Sequence, residues 1–199
     1  TKLWNAEHDP KTVESVCRQT LADLQLEYVD LYLMHWGIAF AGGKGAEPRL
    51  ENGDIELGAY SLESTWHAME HLVELGLVRS IGVANFSTVQ LLDMLSYAQV
   101  RPAMNQIELH PYNSQQALVD FWHRHSIAVT AYSPLGNRSR LQPGDPVLLE
   151  DPVVLTIASQ LQKTPAQVLL RWAIQRQTVV IPKSVTPARI TENLAVFDF

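Results

Sequence analysis

Two cations and two hydroxyls stand close together near the end of the sequence: Lys183, Ser184, Thr186 and Arg189. They follow an apolar run, Val179-Val180-Ile181, that stops at Pro182, and they flank Thr186-Pro187, a pair that suits a helix start. A helix start offers free backbone N–H groups and the positive end of the peptide dipoles, so it favours a bound anion. Lys adds a point charge, and Arg a planar fork suited to phosphate oxygens. Phosphate binding is the chemistry this spacing suggests. An ordinary helix start with solvated cations fits the spacing equally well. Any anion site must be local, because the 199-residue chain has a formal net charge of -6, which argues against nucleic-acid binding.

Other chemistry-bearing residues come just after apolar runs. His35-Trp36 follow LYLM, Asn85-Phe86 follow IGVA, His110-Pro111 follow QIEL, Ser133 follows VTAY, and Lys183-Ser184 follow VVIP. Metal chemistry has two weaker footholds. His67-Ala68-Met69-Glu70-His71 fits the H-x-x-E-H pattern of inverted zinc proteases. However, Leu62, Trp66, Met69 and Val73 form an apolar stripe that places His67, His71 and Glu74 towards solvent. Glu108 and His110 share a strand face, but no third ligand is obvious. No metal site is expected. Cys17 is the sole cysteine, which excludes an internal disulfide and favours a cytoplasmic location. With Val13, Leu21 and Leu24 it forms one helical stripe, expected to be buried packing. The longest apolar stretch, Leu31 to Ala41, is broken by His35 and too short to span a bilayer, so no membrane partner is expected.

The elements that must position these residues alternate. Strands are expected near Tyr28–His35, Ser80–Val83, Met104–Leu109, Ala128–Tyr132 and Thr178–Ile181, and Thr1–Trp4 reads as the tail of a sixth. Helices are expected near Pro10–Gln25, Leu62–Leu75, Thr88–Tyr97, Ser114–Arg124, Pro152–Leu161, Pro165–Arg176 and Pro187–Leu194. Asp9-Pro10, Thr164-Pro165 and Thr186-Pro187 each place a capping oxygen before a proline. Strands alternating with helices imply a parallel sheet of βα units with both faces covered. Polar residues gathered at strand exits are what a βα-barrel enzyme needs, since such barrels build their sites at the carboxyl ends of the strands. A closed barrel wants eight strands in about 250 residues, more than are countable here.

The motifs TKLWN (1–5), LADLQLEYVDLYLMHW (21–36), IGVANFS (81–87), NQIELHPY (105–112), AYSPLG (131–136) and IPKSVTPARITEN (181–193) together resemble the aldo-keto reductase family. The resemblance implies an α/β fold, a (β/α)8 TIM barrel. Residues 1–199 are expected to form a single partial barrel domain, from the end of the third strand to the helix after the eighth. The first strands and the C-terminal segment are expected to lie outside the sequence. The implied activity is reduction of an aldehyde or ketone by hydride transfer from NADPH.

The resemblance also assigns roles. Lys183, Ser184, Val185, Thr186 and Arg189 match residues around the cofactor's 2′-phosphate, and Glu192 and Asn193 match adenine contacts. Tyr132 matches the aromatic on which the nicotinamide stacks, while Asn85 and Gln106 match the amides that bond its carboxamide. Ser133 and Leu135 lie in the loop, up to Arg140, that covers the pyrophosphate. Lys2 and His35 match half of the catalytic tetrad, whose Tyr and Asp are expected upstream of Thr1. Trp4, Trp36 and Phe40 match the apolar carbonyl pocket.

Three departures stand out. Ala84 replaces a usual Ser, Ser139 a common acidic residue, and Gly37 a common Pro. The 199 residues alone are expected to be inactive, and the full-length protein a monomer. The alternative is a family member that binds NADPH without catalysis, as a partner subunit or redox sensor.

Overall fold

A computed structural model describes residues 1–199. Six parallel strands follow one another in chain order: β1 (Lys2–Leu3), β2 (Val29–Met34), β3 (Val78–Ala84), β4 (Met104–Glu108), β5 (Ala128–Tyr132) and β6 (Val179–Val180). Seven helices alternate with them: α1 (Val13–Leu24), α2 (Leu62–Glu74), α3 (Thr88–Tyr97), α4 (Gln116–Arg124), α5 (Pro152–Leu161), α6 (Pro165–Gln175) and α7 (Pro187–Leu194). This is the α/β repeat of a partial (β/α)8 barrel. Thr1–Trp4, expected as the tail of a further strand, forms one at Lys2–Leu3, with Leu3 paired with Met34.

The chain divides into two compact units, Thr1–Asn105 and Gln106–Phe199. In the first, β2 runs parallel to β1 and β3, and Ala103 N–H continues the ladder onto Ile81 C=O at 2.8 Å. Ile81, Val83 and Ala84 are buried in succession, as a strand covered on both faces requires. Gly82 sits between them because a Cβ there would lie 2.7 Å from Met104 O and 2.8 Å from Leu33 Cδ2. Trp66, Met69 and Leu72 of α2 and Leu91 and Met94 of α3 are fully buried in this unit. In the second unit Leu109 N–H reaches Tyr132 C=O, and Thr130 and Ala131 pair with Val179 and Val180. A cluster of Leu148, Val154, Ala158, Val168 and Leu169 packs α5 and α6 together.

Several element ends differ from the sequence expectation. The first helix starts at Val13, not Pro10: Asp9 Oδ1 accepts the Lys11 N–H, Asp9 C=O accepts from Thr12, and Asp9 Oδ2 takes the Tyr60 hydroxyl. These bonds hold residues 9–12 in a turn. The fourth helix starts at Gln116, not Ser114, because Gln115 is left-handed (φ 41°). The Asn113 and Gln115 amides are spent on Glu108 C=O. The last strand is only two residues long, since Pro182 has no N–H with which to extend the ladder. Of the starts at Asp9, Thr164 and Thr186, Thr164 alone caps its helix, in a box with Gln167; Asp151, before Pro152, caps α5. Thr186 makes no side-chain cap. In α1, Val13, Cys17 and Leu21 are buried as expected, but Leu24 is exposed at the helix end.

The H-x-x-E-H string serves packing. Glu70 is buried, and its Oε1 accepts the N–H groups of Gln99 and Val100, both at 2.7 Å, while Trp66 Nε1 donates to Val100 C=O. His67 and His71 each set Nδ1 against a carboxylate three residues on, Glu70 and Glu74. No three His, Cys, Asp or Glu side chains gather as a metal site, and no helix is long and apolar enough to cross a membrane.

His8 is wholly buried and neither ring nitrogen has a partner, so desolvation lowers its pKa from 6.5 to about 4. Between those values the unfolded chain binds a proton that the folded chain refuses. The folded state therefore loses stability as pH falls below 6.5, with the full loss reached near pH 4. The expected loss is about 3 kcal/mol. Urea unfolding at pH 7 and pH 4.5 on wild type and His8→Phe checks this. The variant should show a much shallower acid loss, and parallel losses would refute it.

Candidate functional site

Six of the seventeen expected site residues, Lys2, Trp4, His35, Trp36, Phe40 and Asn85, lie in the first unit, at or after the exits of β1, β2 and β3. The β1–β2 pairing sets Lys2 opposite Leu33, and His35 N–H bonds Leu3 C=O at 3.0 Å. His35 thus leaves β2 beside the end of β1. Its pKa is lowered from the usual value, first by burial and then by the Lys2 charge, so the imidazole is neutral at pH 7. Trp4 meets the His35 ring edge-on with centroids 4.9 Å apart, and meets Phe40 in the same way at 6.2 Å. Asn85 follows β3 in the left-handed region (φ 61°), a conformation Asn tolerates, and its Nδ2 donates to His35 C=O at 2.9 Å. Asn105 holds the next residue through both the N–H and C=O of Phe86.

Trp4, Trp36 and Phe40 line a cavity of about 410 Å³. Its other walls come from Asn5 and from the excursion between β2 and α2. Trp4 Nε1 donates to Ala46 C=O at 2.6 Å and Phe40 N–H to Asn5 C=O at 2.9 Å, which fold that excursion back over the β1 exit. Gly37 packs tightly, because a Cβ there would run into Gln90 Nε2 and the Phe86 ring. Asn5 and the excursion's Ile55 and Leu57 were not singled out from sequence, since their placement depends on long-range folding.

The remaining site residues lie in the second unit. Gln106 is buried in β4, and Tyr132 ends β5 half-buried, its phenol pKa raised by burial and by Glu108. Ser133 (φ 48°) turns the chain, with Gly136 N–H on its carbonyl. Leu135 then packs on the Leu148 cluster. Arg138 pairs with Glu150 at 3.0 Å, joining the two ends of this loop, while Ser139 bonds only Asn137.

Leu135, Lys183, Ser184, Arg189, Glu192 and Asn193 line one cavity of about 730 Å³. Arg138 and Arg140 join that wall, two cations that strand logic missed and that the close pair in NRSR could have signalled. Gln106, Tyr132, Ser133, Val185 and Thr186 are not among its lining residues, and the Val185 side chain is largely exposed.

The helix start at Thr186 is chemically open. Without a side-chain cap, the first N–H groups of α7 remain available to an anion, and Lys183 and Arg189 flank them. Ser184 Oγ accepts the Thr186 N–H at 3.2 Å, which fixes the approach. Gln167 positions the rest. Its Oε1 accepts the Thr164 N–H, while its Nε2 donates to the carbonyls of Glu192 and Ala195. One amide therefore caps α6 and holds the end of α7. The cavity wall combines apolar residues, Leu135 and Leu148 among them, with four cations, Arg138, Arg140, Lys183 and Arg189, which could accept a phosphate group.

The family model described as the Aldo/keto reductase family matches residues 1–199. Aldo-keto reductase family 1 member A1 of Sus scrofa is 52% identical over 201 residues, and its Homo sapiens counterpart 50%. Each alignment covers 100% of this chain and 62% of the relative. The solved structure of the aldose reductase from Schistosoma japonicum superposes with a TM-score of 0.92 at 44% identity, covering 100% of this chain and 62% of that one. The chain thus spans 62% of the length of these relatives.

Proposed function

The chain belongs to the aldo/keto reductase family, and from that premise we propose that the full-length protein reduces a small-molecule aldehyde or ketone with NADPH. The observation that carries the reading is the uncapped α7 start, with Lys183 and Arg189 on either side of it in sequence and both on the wall of a partly apolar cavity. Those groups fit a phosphate-bearing dinucleotide: Lys183, Ser184 and Arg189 at the 2′-phosphate, Glu192 and Asn193 at the adenine. Leu135 and the loop after Ser133 would cover the pyrophosphate. By the family resemblance, Asn85 of the first unit and Gln106 and Tyr132 of the second each match a nicotinamide contact. When bound, NADPH supplies the hydride.

The chain's own residues then have separable tasks. Neutral His35 can donate an N–H to the carbonyl oxygen and so orient it. The Lys2 ammonium stabilises negative charge growing on that oxygen and makes a nearby phenol a better acid. Trp4, Trp36 and Phe40 offer the apolar walls against which a carbonyl substrate would pack.

The proton donor is not among the tyrosines of the first unit that are otherwise engaged. Tyr60 bonds Asp9, Tyr28 bonds Arg79, and Tyr32 is wholly buried. A tyrosine outside residues 1–199 fills that role in this reading, and the 199 residues alone would be inactive.

The test is direct. Full-length protein with NADPH and an aromatic aldehyde should consume NADPH and yield the alcohol. Tight NADPH binding without consumption for any aldehyde or ketone would instead favour the reading as a non-catalytic partner or sensor.

A further inference from the structure

Of the chain's asparagines only Asn52 is followed by glycine. The pair sits at the tip of a turn in the excursion between β2 and α2, with Asn52 and Gly53 both exposed. Gly53 is left-handed (φ +88°), and a Cβ built there would meet nothing within 4 Å, so nothing crowds this residue. The Asn52 side chain is fastened at both ends to one residue. Its Oδ1 accepts the Asp54 N–H at 3.1 Å, and its Nδ2 donates to Asp54 Oδ2 at 2.7 Å. The side chain therefore reaches forward across Gly53, which sets Cγ beside the Gly53 nitrogen. A donor already aimed at Oδ1 also stabilises negative charge that grows on that oxygen. The restraint against attack is the turn bond from Gly53 N–H to Leu50 C=O at 2.9 Å, and exposed turn bonds open locally at little cost.

We propose that Asn52 is a site of self-modification, at which the Gly53 nitrogen closes on the Asn52 amide, converts it to aspartate or isoaspartate, and so loosens the wall of the adjoining cavity. In the first step a bond forms between Gly53 N and Asn52 Cγ while Gly53 N gives its proton to a solvent base. The Cγ–Nδ2 bond then breaks, and the nitrogen takes a proton and leaves as ammonia. Water opens the resulting five-membered imide at one carbonyl or the other, giving aspartate or isoaspartate. Nothing is oxidised or reduced, and water is the sole co-reactant. The consequence is local repulsion: the new carboxylate has lost the Nδ2 donor and faces the Asp54 carboxylate. Isoaspartate also adds a backbone methylene to the turn. That turn joins two arms, through Leu50 N–H to Asp54 C=O, Glu56 N–H to Pro48 C=O, and Arg49 Nη1 to Gly53 C=O. Arg49, Ile55 and Leu57 on those arms line the cavity of about 410 Å³. The inference goes beyond the carbonyl-reductase reading and stands without it.

The experiment keeps full-length wild type, Asn52→Ser and Asn52→Asp in mildly alkaline buffer and samples them over weeks. Trypsin releases residues 50–79 as one peptide, whose mass and elution separate the asparagine, aspartate and isoaspartate forms. Asn52 is expected to convert faster than every other asparagine in wild type, with both acid forms appearing, as opening of an imide requires. Conversion no faster than at the other asparagines, or aspartate without isoaspartate, would overturn the site. Brief trypsin treatment of the folded proteins reads the consequence, since cleavage follows the population of opened forms. Asn52→Asp should be cut after Arg49 about 5-fold faster than fresh wild type, the effect of losing one turn hydrogen bond. Asn52→Ser keeps an oxygen for the Asp54 N–H and cannot cyclise, so it should stay close to fresh wild type and remain unmodified. Equal cleavage of Asn52→Asp and wild type would sever the link to the cavity wall. Neither readout needs turnover, so a protein that reduced no aldehyde would count against the activity while the fate of Asn52 was still decided.

Discussion

Replacing Lys183 and Arg189 together by methionine is expected to remove most of a preference for NADPH over NADH, a change of about 10²-fold or more in the ratio of dissociation constants. The magnitude follows from losing two charge-assisted contacts at roughly 1.5–3 kcal/mol each, with every 1.4 kcal/mol worth tenfold. The loss should fall on NADPH alone, because NADH carries no 2′-phosphate. It should not be complete. The uncapped N–H groups of α7 remain in the double variant and still favour an anion. Raising the salt concentration should narrow the wild-type preference, since exposed cations are screened. Fluorescence titration with both cofactors checks all three points. An unchanged preference in the double variant would remove the phosphate role from this helix start and return it to an ordinary turn with solvated cations.

How far the sequence revealed this site depended on how local each determinant was. The strand exits were legible because alternating apolar runs and helical patterns leave few topologies, and His35, Asn85 and Tyr132 do end or follow β2, β3 and β5. The helix starts were legible only where the partner was also local. Thr164 has Gln167 three residues on and completes a capping box, whereas Thr186 has Arg189 at that position and stays uncapped. The dipeptide is the same, and only Thr164 has the amide that closes a box. Asp9 fails as a cap because its carboxylate is taken by Lys11 N–H and by Tyr60, which lies 51 residues away in the chain.

What stayed hidden was long-range. Nothing local to Asn5 reveals that its oxygen would be left without a partner, since that depends on how Phe40 and Ala46 fold back over β1. The Arg138–Glu150 pair was hidden for the same reason: a loop of irregular backbone has no period to betray which ends meet. That pair also bears on Ser139, which bonds only Asn137 and stands where the family commonly has an acidic residue. Here the loop's ends are joined by a neighbouring cation instead. The β-strand exits lie close to where the sequence predicts them because strand ends follow from the apolar pattern, while loop residues follow from packing.

The largest effect is expected at the β1 and β2 exits. Lys2→Met and His35→Gln, each made in full-length protein, should lower kcat by about 10²–10⁴-fold, the usual contribution of a positioned proton-transfer system. NADPH affinity should change little in either, because the cations around α7 are untouched. The two variants should differ in a way that separates their roles. Gln retains an N–H donor in place of imidazole, so His35→Gln should keep some carbonyl orientation while losing the ring's packing against Trp4. Lys2→Met removes a positive charge that helps to depress the His35 pKa, so that pKa should rise toward its ordinary value. Protonation of His35 then begins at higher pH in the variant than in wild type. The residual activity of Lys2→Met should therefore shift its acid limb upward in a kcat profile taken between pH 5 and 9, the ordinary histidine value being about 6.5. An acid limb that stayed in place would show that Lys2 does not act on His35. Full kcat in either variant would place the chemistry elsewhere in the protein.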